Sequence, residues 1–197
     1  QQAIVLWSQD PRRGRLVVAC CAQATAAGVR PGMTVAQGAA LLGELPHVLM
    51  VHDSHADAEA LQELALRCAD RLTPLVAIEP LDPYLWAGQT LHQPQSLVLD
   101  VTGIGNWFGG EQPLLTAAQR LLGEVGLRGQ LAIADTVGAA WAMAHCAKSP
   151  QGTWCIPSGE QHTALDPLRI AGLRVRTEQA LTLRRLGIDS IGALRRL

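Results

Sequence analysis

Apolar and polar positions switch between two periods along the chain, and the switches mark the predicted elements. Residues 3–7 and 16–20 are short apolar, partly β-branched runs joined by Asp10-Pro11-Arg12-Arg13-Gly14, a pattern that predicts a β-hairpin with a basic tip. Residues 22–27 predict a short helix ended by Gly28. Pro31-Gly32 marks a turn, and Thr34 is placed to cap a second helix over 35–42, before a strand at 48–51. Ser54 with Asp57 three residues on resembles a capping box, although Asp is a weaker partner there than Glu or Gln. The helix they open carries Leu61, Leu64, Ala65, Cys68 and Leu72 at helical spacing, so one face is buried. Thr73-Pro74 ends it, and residues 75–78 return as a strand.

Residues 79–96, rich in Pro, Gly and Gln, predict a long irregular connection. A buried strand with one acid follows at 97–101, then the turn Phe108-Gly109-Gly110-Glu111. Leu114, Leu115, Ala118, Leu121, Leu122 and Val125 trace an amphipathic helix for which Gly126 suits the C-terminal cap. A strand at 131–134 ends in Asp135-Thr136, either of which can cap a helix over 139–147. Residues 150–165 predict a linker. The last thirty residues predict short helices: Thr177 caps one carrying Leu181, Leu183 and Leu186, residues 187–192 form a tight hairpin, and another helix starts at 193.

Composition sharpens this picture in three ways. The chain has 197 residues, 48% of them hydrophobic, enough to bury a core in one unit or two to three small lobes. The formal net charge of -1 hides a split. Residues 1–168 hold nine Lys/Arg against 15 Asp/Glu, a net of -6, while residues 169–197 hold seven Arg against Glu178 and Asp189, a net of +5. A basic end on an acidic body suggests a phosphate-facing surface; the competing account is a solvated helix face. Five cysteines, odd in number and without a C-x-x-C pair, predict reduced thiols in a cytosolic protein. No apolar run reaches membrane-spanning length, and no signal peptide is visible. The start at Gln1-Gln2 and the stop at Leu197 inside a helical pattern predict a segment of something longer.

Strand, helix, strand with acids at the strand ends is how a nucleotidyl-transfer palm positions metal ions. The sequence motifs point the same way. Ala27-Gly28-Val29-Arg30-Pro31-Gly32-Met33-Thr34 resembles the fingers segment of Y-family translesion DNA polymerases, and Leu99-Asp100-Val101-Thr102 resembles the close of their palm acidic motif. Leu186-Gly187-Ile188 with Ile191-Gly192 resembles their thumb. Asp100-Val101-Thr102-Gly103, Phe108-Gly109-Gly110-Glu111, and Ile133-Ala134-Asp135-Thr136 with Ala140-Trp141-Ala142 are similar to a degenerate branch, the polymerase-like proteins of bacterial damage-induced mutagenesis cassettes. The resemblance implies an α+β, right-hand fold: fingers at 1–52 lacking the N-terminal palm strand, a ferredoxin-like palm at 53–150, and a truncated helix-hairpin-helix thumb at 151–197.

The departures carry the functional expectation. Two-metal phosphoryl transfer needs about three carboxylates around ions ~3.5–4 Å apart. Active relatives take one from an N-terminal strand, ahead of where this chain begins, and an Asp-Glu pair from the palm hairpin. Counting back from Asp100, that pair falls on Gln95-Ser96, or on Asp82-Pro83 if 79–96 is an insertion. Asp100 itself matches a neighbouring acid, so it and Asp82 are only weak catalytic candidates. The Tyr and Arg that hold the incoming triphosphate fall on Ala22 and Thr25, and Thr cannot replace a bidentate phosphate clamp.

The resemblance therefore implies a catalytically inactive scaffold for translesion synthesis and mutagenesis in the DNA-damage (SOS) response, cytoplasmic and nucleoid-associated. It implies no cofactor, and no metal unless the chain is an active polymerase using Mg²⁺. Its implied partners are primer-template DNA, an error-prone C-family polymerase, a RecA-like accessory protein and the sliding clamp, with no membrane. A protein-interaction module without a DNA role is the other alternative.

The DNA contacts expected are Arg12, Arg13 and Arg15 at the hairpin tip, Arg30, and Arg184, Arg185, Arg195 and Arg196 around the thumb hairpin, where Gly187 and Gly192 would bring backbone N–H groups to phosphates. An ordinary helical hairpin with exposed arginines has the same spacing. His52, Asp53, His55 and Asp57 make a ligand-rich stretch, but Ser54 and Asp57 within it are expected to cap. Trp107 and Phe108, in a loop, either fill core or stack on a base or partner.

Overall fold

The computed structural model describes residues 2–79, 96–149 and 151–197 and divides into two compact units, Gln1–Asp57 and Ala58–Leu197. Asp82, Pro83 and Gln95 lie outside the described residues, as does most of the connection expected at 79–96.

In the first unit, β1 (Ala3–Asp10) pairs antiparallel with β2 (Gly14–Cys20) and parallel with β3 (His47–Val51), in the order β2-β1-β3. The hairpin closes on the pair Asp10↔Gly14, where Gly14 takes φ 79°. Ala3 and Val5 on β1 are fully buried while Ile4 is exposed, the period-2 alternation of a half-buried sheet. They pack with Val17, Val29, Ala24 of α1 (Ala22–Ala26) and Leu42 of α2 (Val35–Leu42). Thr34 caps α2 through a complete capping box: its hydroxyl accepts from the Gln37 N–H at 3.2 Å, and Gln37 Oε1 accepts from the Thr34 N–H at 2.9 Å.

Helix α3 (Ser54–Arg71) is capped differently from the sequence expectation. Asp53 Oδ1 accepts from the N–H groups of His55 and Ala56, both at 3.0 Å, so Asp53 caps and Ser54 is the first helical residue. Asp57 instead binds His52 Nε2 at 2.8 Å. An Asp carboxylate one position earlier reaches the same orphan donors, and the sequence alone does not choose between adjacent Asp and Ser.

The second unit packs helices on two small ladders. β4 (Val76–Ile78) runs antiparallel to β5 (Leu97–Leu99). Leu64 and Cys68 of α3 and Leu121 of α5 (Glu111–Glu124) form the core over them, with Leu61, Leu72, Val76, Leu97, Leu99 and Val125 around it. The short helix α4 (Gly105–Phe108) precedes α5, and Gly126 follows it at φ 72°, as a C-terminal glycine should. β6 (Leu131–Ile133) leads to α6 (Val137–Cys146), capped by the Thr136 hydroxyl, which accepts from the Ala139 N–H.

The expected linker at 150–165 is structured over its described residues, 151–165. It holds β7 (Thr153–Cys155), parallel to β6, and α7 (Gln161–Leu165). Its three-residue strand exists only through pairing with a partner some twenty positions back, which no local period reports. Asp135 secures the return: its Oδ2 accepts from the Ser158 hydroxyl, the Gly159 N–H and the Gln161 amide at 3.0–3.1 Å.

The chain ends in a 3₁₀ turn (Ile170–Leu173), α8 (Thr177–Arg185) and α9 (Ile191–Arg195). Thr177 is the first residue of α8; the cap position belongs to Arg176, whose N–H donates to Gln179 Oε1. Trp141, Ala142 and Met143 of α6 pack with Leu168 and Ile191. Trp107 is 87% exposed, which excludes it from any core, while Trp141 at 5% is buried.

Candidate functional site

Two places bear on function: the strand ends where catalytic acids are expected, and the arginines expected to meet DNA.

At the end of the β4–β5 ladder, the Glu79 N–H donates to the Ser96 carbonyl at 2.9 Å, setting these residues opposite each other. The Ser96 hydroxyl lies 3.0 Å from His145 Nε2. A carbonyl oxygen only accepts, so His145 Nδ1 donates to the Trp141 carbonyl at 3.0 Å. The Glu79 carboxylate is fully engaged: Oε2 accepts from the Trp141 indole N–H at 3.0 Å, and Oε1 pairs with the Arg174 guanidinium at 2.7 Å.

Asp100 lies at the far end of β5, four residues from Ser96, about 13 Å along an extended strand and well beyond what one metal pair spans. Its exposed carboxylate accepts from the Thr102 N–H at 2.9 Å. Hydrogen bonds from the Thr102 side chain and then its backbone N–H hold its pKa below the ordinary carboxylate value. Asp100 is thus a turn-fixing acid, and its carbonyl is held by the buried Thr73 hydroxyl at 2.7 Å. Among the described residues, no group of three His, Cys, Asp or Glu side chains is placed to hold a metal ion, the 52–57 stretch included. Among the described residues, the donors at the β4–β5 end, one hydroxyl and one carboxylate already paired with a cation, do not fit a magnesium pair.

The arginines divide by what they already hold. In the first unit, Asp10 Oδ1 accepts from the Arg13 and Arg12 N–H groups at 2.7 and 2.8 Å, and those bonds lower the Asp10 pKa. This fixes the hairpin tip with both side chains exposed; the Arg13 guanidinium reaches the Gly32 carbonyl at 3.1 Å. Arg15 lies 4.8 Å over the Trp7 ring. Arg30 closes the end of α1 through the Thr25 and Val29 carbonyls at 2.6 and 2.7 Å, an internal role that spacing did not reveal.

In the second unit, Arg184 makes only a loose, exposed pair with Asp189 at 3.5 Å, and Arg185 and Arg196 are exposed. Arg195 is committed: its Nε and terminal nitrogen meet the two Asp166 oxygens at 3.0 and 2.5 Å, which lowers the Asp166 pKa and raises that of Arg195. The two glycines serve the turn. Gly187, at φ 78°, donates to the Arg184 carbonyl, and the buried Gly192 donates to Asp166 O at 3.0 Å, so both amides already have internal acceptors. A Cβ at position 192 would sit 3.0 Å from Asp166.

The model of the impB/mucB/samB family matches residues 1–145, close to three quarters of the chain. The chain belongs to that family. Proteins named ImuB from two strains of Caulobacter vibrioides (NA1000 / CB15N and ATCC 19089 / CIP 103742 / CB 15) are each 35% identical over 165 residues, 84% of this chain. The chain spans 32% of the length of those relatives. Among solved structures, an insertion ternary complex of Dbh DNA polymerase matches with a TM-score of 0.68 at 18% identity, over 95% of this chain and 51% of that one. DinB from Sulfolobus solfataricus matches with a TM-score of 0.69 at 17% identity, over 96% and 51%. This family member therefore has the right-hand fold of Y-family polymerases, as the sequence motifs predicted.

Proposed function

We propose that this family member is a polymerase-shaped, non-catalytic scaffold that binds primer-template DNA during damage-induced translesion synthesis and mutagenesis. The observation that carries the reading is the β4–β5 strand end. There Ser96 stands at a position expected to hold an acid, and the facing carboxylate, Glu79, is neutralised by Arg174 rather than left open to a cation. Ala22 and Thr25, at the expected triphosphate clamp, supply no positive charge, which supports the same conclusion. In this reading residues 1–52 are fingers, 53–150 palm and 151–197 thumb. The exposed arginines contact the DNA backbone without reading sequence, as expected for a protein that must act on any damaged template. In this reading, which follows from the resemblance of the motifs, the protein works beside an error-prone C-family polymerase, a RecA-like accessory protein and the sliding clamp, in the cytoplasm with the nucleoid. Among the described residues, no helix is long and apolar enough to cross a membrane.

The test is primer extension by the intact protein on a primed template, with Mg²⁺ and then Mn²⁺, beside an Asp82→Ala/Asp100→Ala control and a DNA-binding titration over salt. Salt-sensitive binding without extension is the expected result. Extension abolished by the double substitution would make the chain an active polymerase. Absence of salt-sensitive binding would leave a protein-interaction module.

A further inference from the structure

One cluster in the second unit joins four separate stretches of chain: Glu79 after β4, Ser96 before β5, Trp141 and His145 one turn apart on α6, and Arg174 directly after the 3₁₀ turn. Arg174 is its unusual member. Its φ of 57° is the one positive value at a non-glycine residue among the described residues, a conformation that glycine adopts without cost and arginine does not. The side chain shows what offsets that strain. The guanidinium pairs with Glu79 Oε1 at 2.7 Å and lies 5.1 Å over the Trp141 ring. Trp141 in turn donates its indole N–H to the other Glu79 oxygen and stacks on His145 with centroids 4.1 Å apart. Beside it the turn itself sits close on α6 and α9: a Cβ at Gly172 would lie 3.3 Å from Ile191 and 3.5 Å from Ala142.

We propose that Arg174 is a latch residue that holds the turn between Leu168 and α8 against the end of the β4–β5 ladder, with Glu79 as its catch and the Trp141 ring as its platform. The Glu79 side chain is only 12% exposed, and among the described residues this guanidinium and the indole N–H compensate its charge. Helix α8 follows directly, while α9 is held separately by Asp166 through Gly192 and Arg195. The latch is a property of the fold and does not rest on DNA binding, so its failure and the failure of the scaffold reading show up in different measurements.

The experiment is amide hydrogen exchange on the intact protein carrying Glu79→Gln or Arg174→Gly. Glu79→Gln keeps an acceptor for the indole but removes the charge. Arg174→Gly removes the side chain while relaxing the backbone, so by backbone conformation alone it should tighten the turn. Exchange of the 170–176 amides at least about tenfold faster in both variants, with β1–β2 protection unchanged, is the expected outcome. Unchanged or slower exchange over 170–176 in either variant overturns the latch. Unchanged protection of α5, in the core of the same unit, excludes general unfolding of that unit as the cause of any acceleration.

Discussion

At the residue scale, the charged groups most visible in the sequence turn out to have different duties. Arg195 and Arg196 are adjacent and look equivalent, yet only Arg195 is bound by both oxygens of Asp166. That pair has a defined pH signature. Arg195 lowers the Asp166 pKa in the folded state, so the contribution is present at and above the ordinary aspartate value of about 3.9 and is lost as pH falls through the depressed folded value. Arg195→Met should therefore lower the urea midpoint at neutral pH. The gap from the parent should close as pH drops below the ordinary carboxylate range. A gap that persists unchanged at low pH would mean that Arg195 acts through its packing. Arg30 and Arg174 give the same lesson from the other side: both are exposed, yet their guanidinium groups are bound to the Thr25 and Val29 carbonyls and to Glu79.

At the scale of elements, periodicity locates most helices and strands, and the departures lie at caps and at the smallest strand. Leu64 and Cys68, Leu114, Leu115 and Leu121 all lie on the faces that helical spacing buries. The cap of α3 falls one residue before the position the sequence predicts, because Asp53 and Ser54 are both good cap formers and only backbone geometry separates them. Asp53→Ala should lower the midpoint of a denaturant titration, because the His55 and Ala56 N–H groups lose their cap; an unchanged midpoint would mean that Asp53 does not cap α3. β7 escapes the sequence pattern for a different reason. Thr153, Trp154 and Cys155 become a strand through the register Leu131↔Thr153 to Ile133↔Cys155, and Asp135 pins the segment that follows. Neither signal is local.

At the scale of the whole molecule, the charge split along the chain survives as an exposed arginine set on and after α8, reduced by the one member tied to Asp166. If those arginines neutralise phosphates, replacing Arg184, Arg185 and Arg196 together by Ala should lower the slope of log K against log salt by about 0.9 for each duplex phosphate no longer neutralised. Arg195→Ala should change it less. Fluorescence anisotropy across a salt series reads both, and an unaltered slope in the triple variant would remove this surface from DNA binding. The amino-acid sequence by itself determined the order of most elements, the faces of the long helices, the family motifs and the uncharged residues at positions 22 and 25. These depend on local period and residue chemistry. Only the tertiary structure decided which charges remain available. Glu79, Ser96, Trp141, His145 and Arg174 are scattered over nearly a hundred positions, and whether a carboxylate faces an ion, a phosphate or an arginine depends on neighbours that only chain folding brings within about 3 Å.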